Sequence, residues 1–541
     1  MNPAGTHAAR APALSGWFWT AIAVTLGFRL WLAWWLPITG DEAYFIYWGE
    51  APDLGFYDHP PMVGWWLAAL LQVSHAKLVL RFPAIVLPAL IALGMAWTVR
   101  ELARGSSAAA AGAAPATLGY AAALAWLLVP AQVLNVAITT DTPLGLFSFL
   151  SLAAFALGVR RDSIGWLALA GAALGCAFLS KYFAVLLGLA YLVYALRVPR
   201  GGRSWRDLAI VCAAAAPFAL VNVAWNYEHC WANLLFNLYN RHADAGLAWY
   251  KPLLFGAFLV YVTSPLLVAQ LAGNARAVRA AARDPAVGLL AVGALVPLAV
   301  FAALSLVKNI GLHWLLSFVP PLFMVAALVL GAARLRASAK FLAGFSAAHV
   351  IAVAVAAALP IETWHALRQY DGVVMTFRAG ELLGALREYE RKFVVAADGY
   401  SPAVTLAYNA AATGFVTQPA ATEPWRRHYI PAFGPASAHA RQDDILTDFR
   451  ALDGHDLLII RKTPPDPRQY APFFRRVEYR TVDIRGAKFY LVIGRGFDFT
   501  TYRSEVLTDV RDRYYRIPSY LPQGHCYFCE RYFGSATCPA G

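Results

Sequence analysis

Long apolar runs alternate with short polar breaks over the first two-thirds of the chain, and then the pattern stops. A helix that crosses a membrane needs about 20 apolar residues, and about eleven segments qualify. They lie near 17–37, 78–99, 113–130, 134–159, 164–180, 182–196, 207–225, 253–273, 286–305, 314–332 and 341–359. The run 61–76 (PMVGWWLAALLQVSHA) is apolar but short, and reads as a helix lying at the membrane interface. The first run, Trp17 to Leu36, has no small-residue cleavage site before Asp41, so it reads as a retained signal anchor. Beyond residue 360, short β-rich runs (392–396, 456–460, 489–493) alternate with helical stretches (378–391, 441–452). The pattern predicts a transmembrane part, 1–360, whose first outer loop is 38–77, and a soluble α/β domain, 361–541. No internal repeat is visible, and the Ala-rich stretch 108–116 reads as a loop or helix start.

Composition sharpens this division. Of 541 residues, 59% are hydrophobic and 14% charged, and the mean hydropathy is +0.50. Soluble proteins carry about 25% charged residues. The net charge of +13 is not a nucleic-acid signature, because most of it sits in the apolar part. Residues 1–360 hold 22 Lys/Arg against 12 Asp/Glu, and residues 361–541 hold 23 against 20. Fifteen of those 22 bases fall on one side of the eleven-span arrangement: Arg10, Arg100/Arg104, Arg160/Arg161, Arg197/Arg200/Arg203/Arg206, Arg276/Arg279/Arg283 and Arg334/Arg336/Lys340. The Lys/Arg bias makes that side, and the N-terminus, cytoplasmic. An odd number of spans then puts residues 361–541 outside, with the loop 38–77.

Cysteine usage adds little. Cys176, Cys212 and Cys230 are scattered through apolar sequence and read as small buried residues. Cys526, Cys529 and Cys538 cluster near the end beside His525. A lone CxxC is a weak zinc signal. In an oxidising compartment a disulfide among the three is favoured over zinc, with the pairing open and one cysteine left over.

The chemistry gathers at the outer ends of the spans. Asp41-Glu42 and Tyr57-Asp58-His59-Pro60-Pro61 lie in the first loop, and Thr140-Asp141-Thr142-Pro143 opens the fourth span. Ser180-Lys181-Tyr182 joins spans five and six, Arg241 follows span seven, and Lys308 and His313 precede span ten. Ionisable residues at a membrane are costly, and their presence points to function. A carboxylate can deprotonate an acceptor hydroxyl. Cations can neutralise a departing phosphate, and apolar walls can hold a lipid tail. Glycosyl transfer from a polyprenyl phosphate needs all three.

This order of motifs, with Gly175-Cys176-Ala177-Phe178-Leu179-Ser180-Lys181-Tyr182, resembles the bacterial GT-C glycosyltransferases. It is similar above all to the protein-mannosyltransferase-like superfamily, which includes the lipid A aminoarabinose and galacturonic acid transferases. The resemblance covers about residues 15–330. It implies a polytopic α-helical inner-membrane enzyme of GT-C type with a C-terminal periplasmic α/β domain. It implies inverting transfer from a polyprenyl-phosphate sugar donor to an envelope acceptor, with lipid A favoured over another glycan or a protein. By resemblance Asp41 is the catalytic base, and Asp141 is a second acidic position of the site. Lys181 lies near the lipid phosphate. His59 follows Asp58 where relatives often carry lysine, and Arg241, Lys308 and His313 match more loosely. Glu42, Tyr57 and Asp58 complete the substrate-binding set. A divalent metal would suit Asp58, His59 and a distant histidine, but the spacing defines no site, so no metal is assigned.

Plainer roles stand beside these. Asp41 can cap the first interfacial helix with Glu42 in its first turn, Asp58 can start a turn, and Asp141 can be an N-cap before Pro143. Lys181 can snorkel to the interface. A transporter or flippase for lipid-linked sugars is the alternative class, and a non-catalytic envelope scaffold is a third. Transporters tend to show repeats and broken mid-membrane helices.

Overall fold

A computed structural model describes residues 10–104, 114–197, 202–242, 246–434 and 441–538. Residues 108–113 of the Ala-rich stretch, and Arg200, lie outside the described residues. The chain forms two compact units that interleave in sequence. One comprises 1–36, 75–221 and 244–357, and the other 37–74, 222–243 and 358–541. The compact units thus differ from a single cut near residue 360: the first loop and residues 222–243 pack with the C-terminal part.

The first unit is helical. Among the described residues six helices are long and apolar enough to cross a membrane, or seven if a bent pair is one span. They include Phe82–Ala103, Asp141–Arg161, Pro285–Leu304 and Ala332–Ala358. The expected eleven is not reached by length alone. Pro115–Leu127, Ile164–Phe178, Ala184–Arg197 and Pro320–Leu330 are apolar helices of 13, 15, 14 and 11 residues. At about 1.5 Å per residue each falls short of a hydrocarbon core about 30 Å thick. The expected span 134–159 starts only at Asp141, because residues 135–139 form no regular structure and Thr140 is a turn. The segment 253–273 bends by 95°. There Pro265 cannot donate an amide and Ser264 Oγ accepts from Leu267 N, opening a new helix.

Small residues let these helices approach closely. A Cβ on Gly119 would lie 2.2 Å from the carbonyl oxygen of Ala96, so helices Pro115–Leu127 and Phe82–Ala103 pack backbone to backbone. Arg29, inside the first long helix, is fully buried. Its guanidinium donates to the carbonyls of Ile85 (2.9 Å), Asn135 (2.6 Å), Gln132 and Ala84. Pro88 has no amide to offer the Ala84 carbonyl four residues before it, and Arg29 fills that gap.

The second unit holds a four-stranded sheet in the order β1–β2–β4–β3. Strands β1 (Val394–Ala397) and β2 (Leu457–Arg461) are parallel and buried. Strand β4 (Ala487–Phe497) runs antiparallel to β2 and forms a hairpin with β3 (Phe474–Ile484). The hydrophobic pattern found β1, β2 and β4. It missed β3, an edge strand whose residues are mostly exposed. The expected helices 378–391 and 441–452 are each broken into a short α-helix and a 3-10 turn. In the second, Asp448 turns its carboxylate onto the Arg450 amide and restarts the chain.

The first loop is itself folded within this unit. Helix Gly40–Glu50 is followed by helix Met62–Leu71, where a short helix was expected. Trp48 stacks on Phe56 at 4.4 Å between them.

Candidate active site

Two charged clusters carry the predicted residues, one in each unit. In the second unit, Thr39 caps helix Gly40–Glu50: its hydroxyl accepts from Glu42 N, and Glu42 Oε2 accepts from Thr39 N at 3.1 Å. Glu42 is fully buried in this reciprocal cap. That corrects its expected substrate-binding role. Asp41 is not the cap; it sits exposed in the first turn. Gly40 permits a neighbour here, since a Cβ would lie 2.6 Å from Ser401 Oγ on helix Tyr400–Thr413.

Asp58 is buried. Its Oδ1 accepts from the Tyr44 hydroxyl at 3.0 Å, and its Oδ2 lies 3.4 Å from Arg441 Nη1. The Tyr44 hydroxyl in turn accepts from the Gln442 amide at 2.8 Å. Burial pushes the Asp58 carboxyl above the usual carboxylate range, against the opposing pull of Arg441 and Tyr44. The Arg441 guanidinium lies over the rings of Phe236 (4.6 Å) and Tyr400 (4.8 Å). Burial also raises the Tyr400 hydroxyl, and the charges acting on it are Arg441, Asp41, Asp58 and Arg241. Asp41, Asp58, Arg241 and Arg441 thus share one neighbourhood. Arg441 and Tyr400 are the residues the sequence reading missed: nothing in Ala440-Arg441-Gln442-Asp443 sets that arginine apart.

Tyr57 is a correction. Its side chain is fully buried, with its ring against Phe236 and Tyr515 in the core of the unit, so it cannot line a substrate site. Half-buried His59 lies near the edges of Phe45 and Trp48.

In the helical unit, Lys181 Nζ lies 2.9 and 2.8 Å from the two Asp141 oxygens. His313 Nε2 is 3.8 Å from Asp141 Oδ2. Asp141 begins helix Asp141–Arg161, and Thr142 Oγ1 accepts from Thr139 N to cap the turn. Lys181 sits over the Phe183 ring at 5.0 Å and is buried, which corrects the snorkelling alternative. Lys308 lies in the turn after helix Pro285–Leu304.

The cysteines pair as Cys230–Cys526 and Cys529–Cys538. Sulfurs already bonded to one another are not thiolate ligands, so the three-cysteine cluster is no zinc site. Cys230 is a structural partner rather than an isolated buried residue, no cysteine of this group is left over, and Cys212 is exposed.

The overall fold matches the crystal structure of ArnT from Cupriavidus metallidurans bound to undecaprenyl phosphate. The TM-score is 0.55 over 88% of this chain and 98% of that one, at 17% identity. The fold is therefore that of a GT-C multi-pass membrane protein. The family described as dolichyl-phosphate-mannose-protein mannosyltransferase matches residues 58–226. The lipid A galacturonosyltransferase RgtD of Rhizobium johnstonii is 28% identical over 215 residues, 39% of this chain. That match spans 44% of the relative's length. Over part of its length the chain is thus similar to the protein-mannosyltransferase family and to a lipid A galacturonosyltransferase.

Proposed function

We propose that the protein is an inner-membrane glycosyltransferase that moves a sugar from a polyprenyl-phosphate donor to lipid A on the periplasmic face, with inversion. The observation that carries this reading is the state of Asp41: an exposed carboxylate beside a buried Asp58–Arg441 pair that is already satisfied. Of the two, only Asp41 is free to meet an incoming hydroxyl.

Asp41 is assigned the acceptor. Its carboxylate takes the hydroxyl proton as the oxygen bonds the anomeric carbon. The bond from that carbon to the phosphate oxygen breaks, its electron pair stays on phosphate, and polyprenyl phosphate leaves. A positioned base contributes roughly 10²–10⁴-fold to such a step. In the helical unit, Lys181 with Asp141 and His313 is assigned the donor phosphate, where negative charge grows. Arg241, Lys308 and His59 are assigned to polar groups of donor or acceptor.

The Lys/Arg bias supports a cytoplasmic N-terminus and a periplasmic C-terminal part. Both disulfides lie in the second unit, which fits an oxidising compartment. Eleven crossings, with the short apolar helices counted among them, remain the proposed topology, and the functional division is placed near residue 360.

Purified protein in lipid nanodiscs, given a polyprenyl-phosphate sugar and lipid A, tests this. Appearance of a sugar-bearing lipid A with inverted anomeric configuration supports the reading. A retained configuration refutes the single-step mechanism, and no transfer to lipid A refutes the acceptor.

A further inference from the structure

We infer that the Cys230–Cys526 disulfide is a positioning staple: it holds a strained turn that, through helix Ala232–Leu238, fixes the loop carrying Asp58. The inference rests on the reading that Asp58 belongs to the site. Cys230 and Trp231 are consecutive non-glycine residues in the left-handed region, at φ 59° and 54°. Such conformations are unfavourable for residues with a Cβ and persist only when their surroundings hold them.

Asn226 O accepts from Trp231 N at 2.8 Å, and the rest of the hold comes from the C-terminal segment. Besides the disulfide, Cys230 N donates to His525 O at 2.9 Å, and Trp231 Nε1 donates to Pro522 O at 2.9 Å. His525 Nδ1 lies 3.1 Å from Glu228 O. Every one of these contacts with the C-terminal segment joins residues 228–231 to residues 522–526.

What the turn launches reaches the site. From helix Ala232–Leu238, Asn233 Nδ2 donates to Phe56 O at 2.7 Å and Asn237 Nδ2 donates to Asp58 O at 3.0 Å. Phe236 of the same helix lies under Arg441, the partner of Asp58. One short helix therefore grips the Asp58 loop by two carbonyls and shelves its counter-ion. Its direction is set by the turn the disulfide holds.

Two paired variants of the full-length protein test this, read by hydrogen exchange and by transfer kinetics. Cys230→Ser/Cys526→Ser removes the staple and keeps the strain. Cys230→Gly/Cys526→Ser removes the staple and relieves the strain at position 230, because glycine accepts positive φ freely. The serine pair is expected to exchange amides 56–59 at least tenfold faster than wild type and to lose at least tenfold in kcat. The glycine pair is expected to stay within threefold of wild type in exchange. Unchanged exchange at 56–59 in the serine pair, or a glycine pair no better protected than it, would overturn the inference. Should the serine pair not fold, Cys526→Ser alone, which also breaks the disulfide and keeps the strain at position 230, takes its place, and unchanged exchange at 56–59 in it counts against the staple. Exchange does not depend on turnover. A wild type with no transferase activity, in which 56–59 still loosens in the serine pair, would refute the proposed function and leave the staple standing.

Discussion

Lys181 Nζ lies 2.8 Å from Asp141 Oδ2, and the two side chains are only 6% and 10% exposed. Forty residues of chain separate them, and His313 Nε2 lies 3.8 Å from the same Asp141 oxygen. Removing one member of such a pair leaves a buried, uncompensated ion, at a cost of roughly 3–5 kcal/mol. Lys181→Ala is therefore expected to lower the thermal midpoint in detergent clearly and to raise KM for the donor lipid. Lys181→Met/Asp141→Leu is expected to recover most of the stability and none of the activity. A double variant that is stable and fully active would refute any role of the pair in donor binding.

The two carboxylates of the first loop are expected to separate chemistry from stability. Exposed Asp41 supports no packing, so Asp41→Asn should leave stability within about 0.5 kcal/mol of wild type. It should cut kcat by roughly 10²–10⁴-fold. Asp58→Asn removes the partner of Arg441 and should destabilise clearly more than Asp41→Asn, as well as lowering activity. Thermal unfolding and single-turnover transfer, measured on the same preparations, check both. Equal destabilisation by the two variants would contradict the division of roles.

Arg29 and Pro88 are expected to be coupled. Arg29→Met leaves several buried carbonyls without a donor, each worth about 1–3 kcal/mol. Adding Pro88→Ala restores an amide four residues after Ala84, so the double variant should be more stable than Arg29→Met alone. Additive losses in a double-mutant cycle of thermal unfolding would show that Arg29 does not serve that carbonyl.

How far the sequence could be read follows from what each residue interacts with. The alternation of apolar runs and polar breaks marked the helices, because burial in lipid acts on composition over whole segments. It could not mark where 135–140 leaves the helix or where Ser264–Pro265 bends the chain, since both depend on local caps. Asp41, Asp58, Asp141 and Lys181 stood out because charge is rare among apolar runs. Arg441 did not, since it lies in an ordinarily charged stretch and acquires its place only by packing between Phe236 and Tyr400. Tyr57 and Glu42 were assigned to substrate by proximity in sequence. The fold turns one into the core and the other into a cap. The link from Cys230 to Cys526 joins segments 296 residues apart, and no spacing rule reaches that far.

His525 gives a pH dependence with a definite sign. Its hydrogen bond to Glu530, and then its contact with the Glu228 carbonyl, hold its pKa above the usual histidine value. A raised folded-state pKa means that the stabilisation is complete below about pH 6.5, the unfolded value. It is lost as pH rises through the folded value. Hydrogen exchange at 522–526 should therefore be slower at pH 6 than at pH 8, after correction for intrinsic rates. His525→Gln should abolish the difference, and a difference that survives this substitution would assign it elsewhere.

Mass spectrometry of envelope lipids tests glycosyl transfer to lipid A with Asp41 as base. Lipid A and polyprenyl phosphates are measured together in cells lacking the protein, cells carrying it, and cells carrying Asp41→Asn. A sugar-sized mass is expected on lipid A only with the wild-type protein, and the polyprenyl-phosphate sugar should accumulate in the other two. Lipid A identical in all three strains, or fully modified in the Asp41→Asn strain, would contradict it.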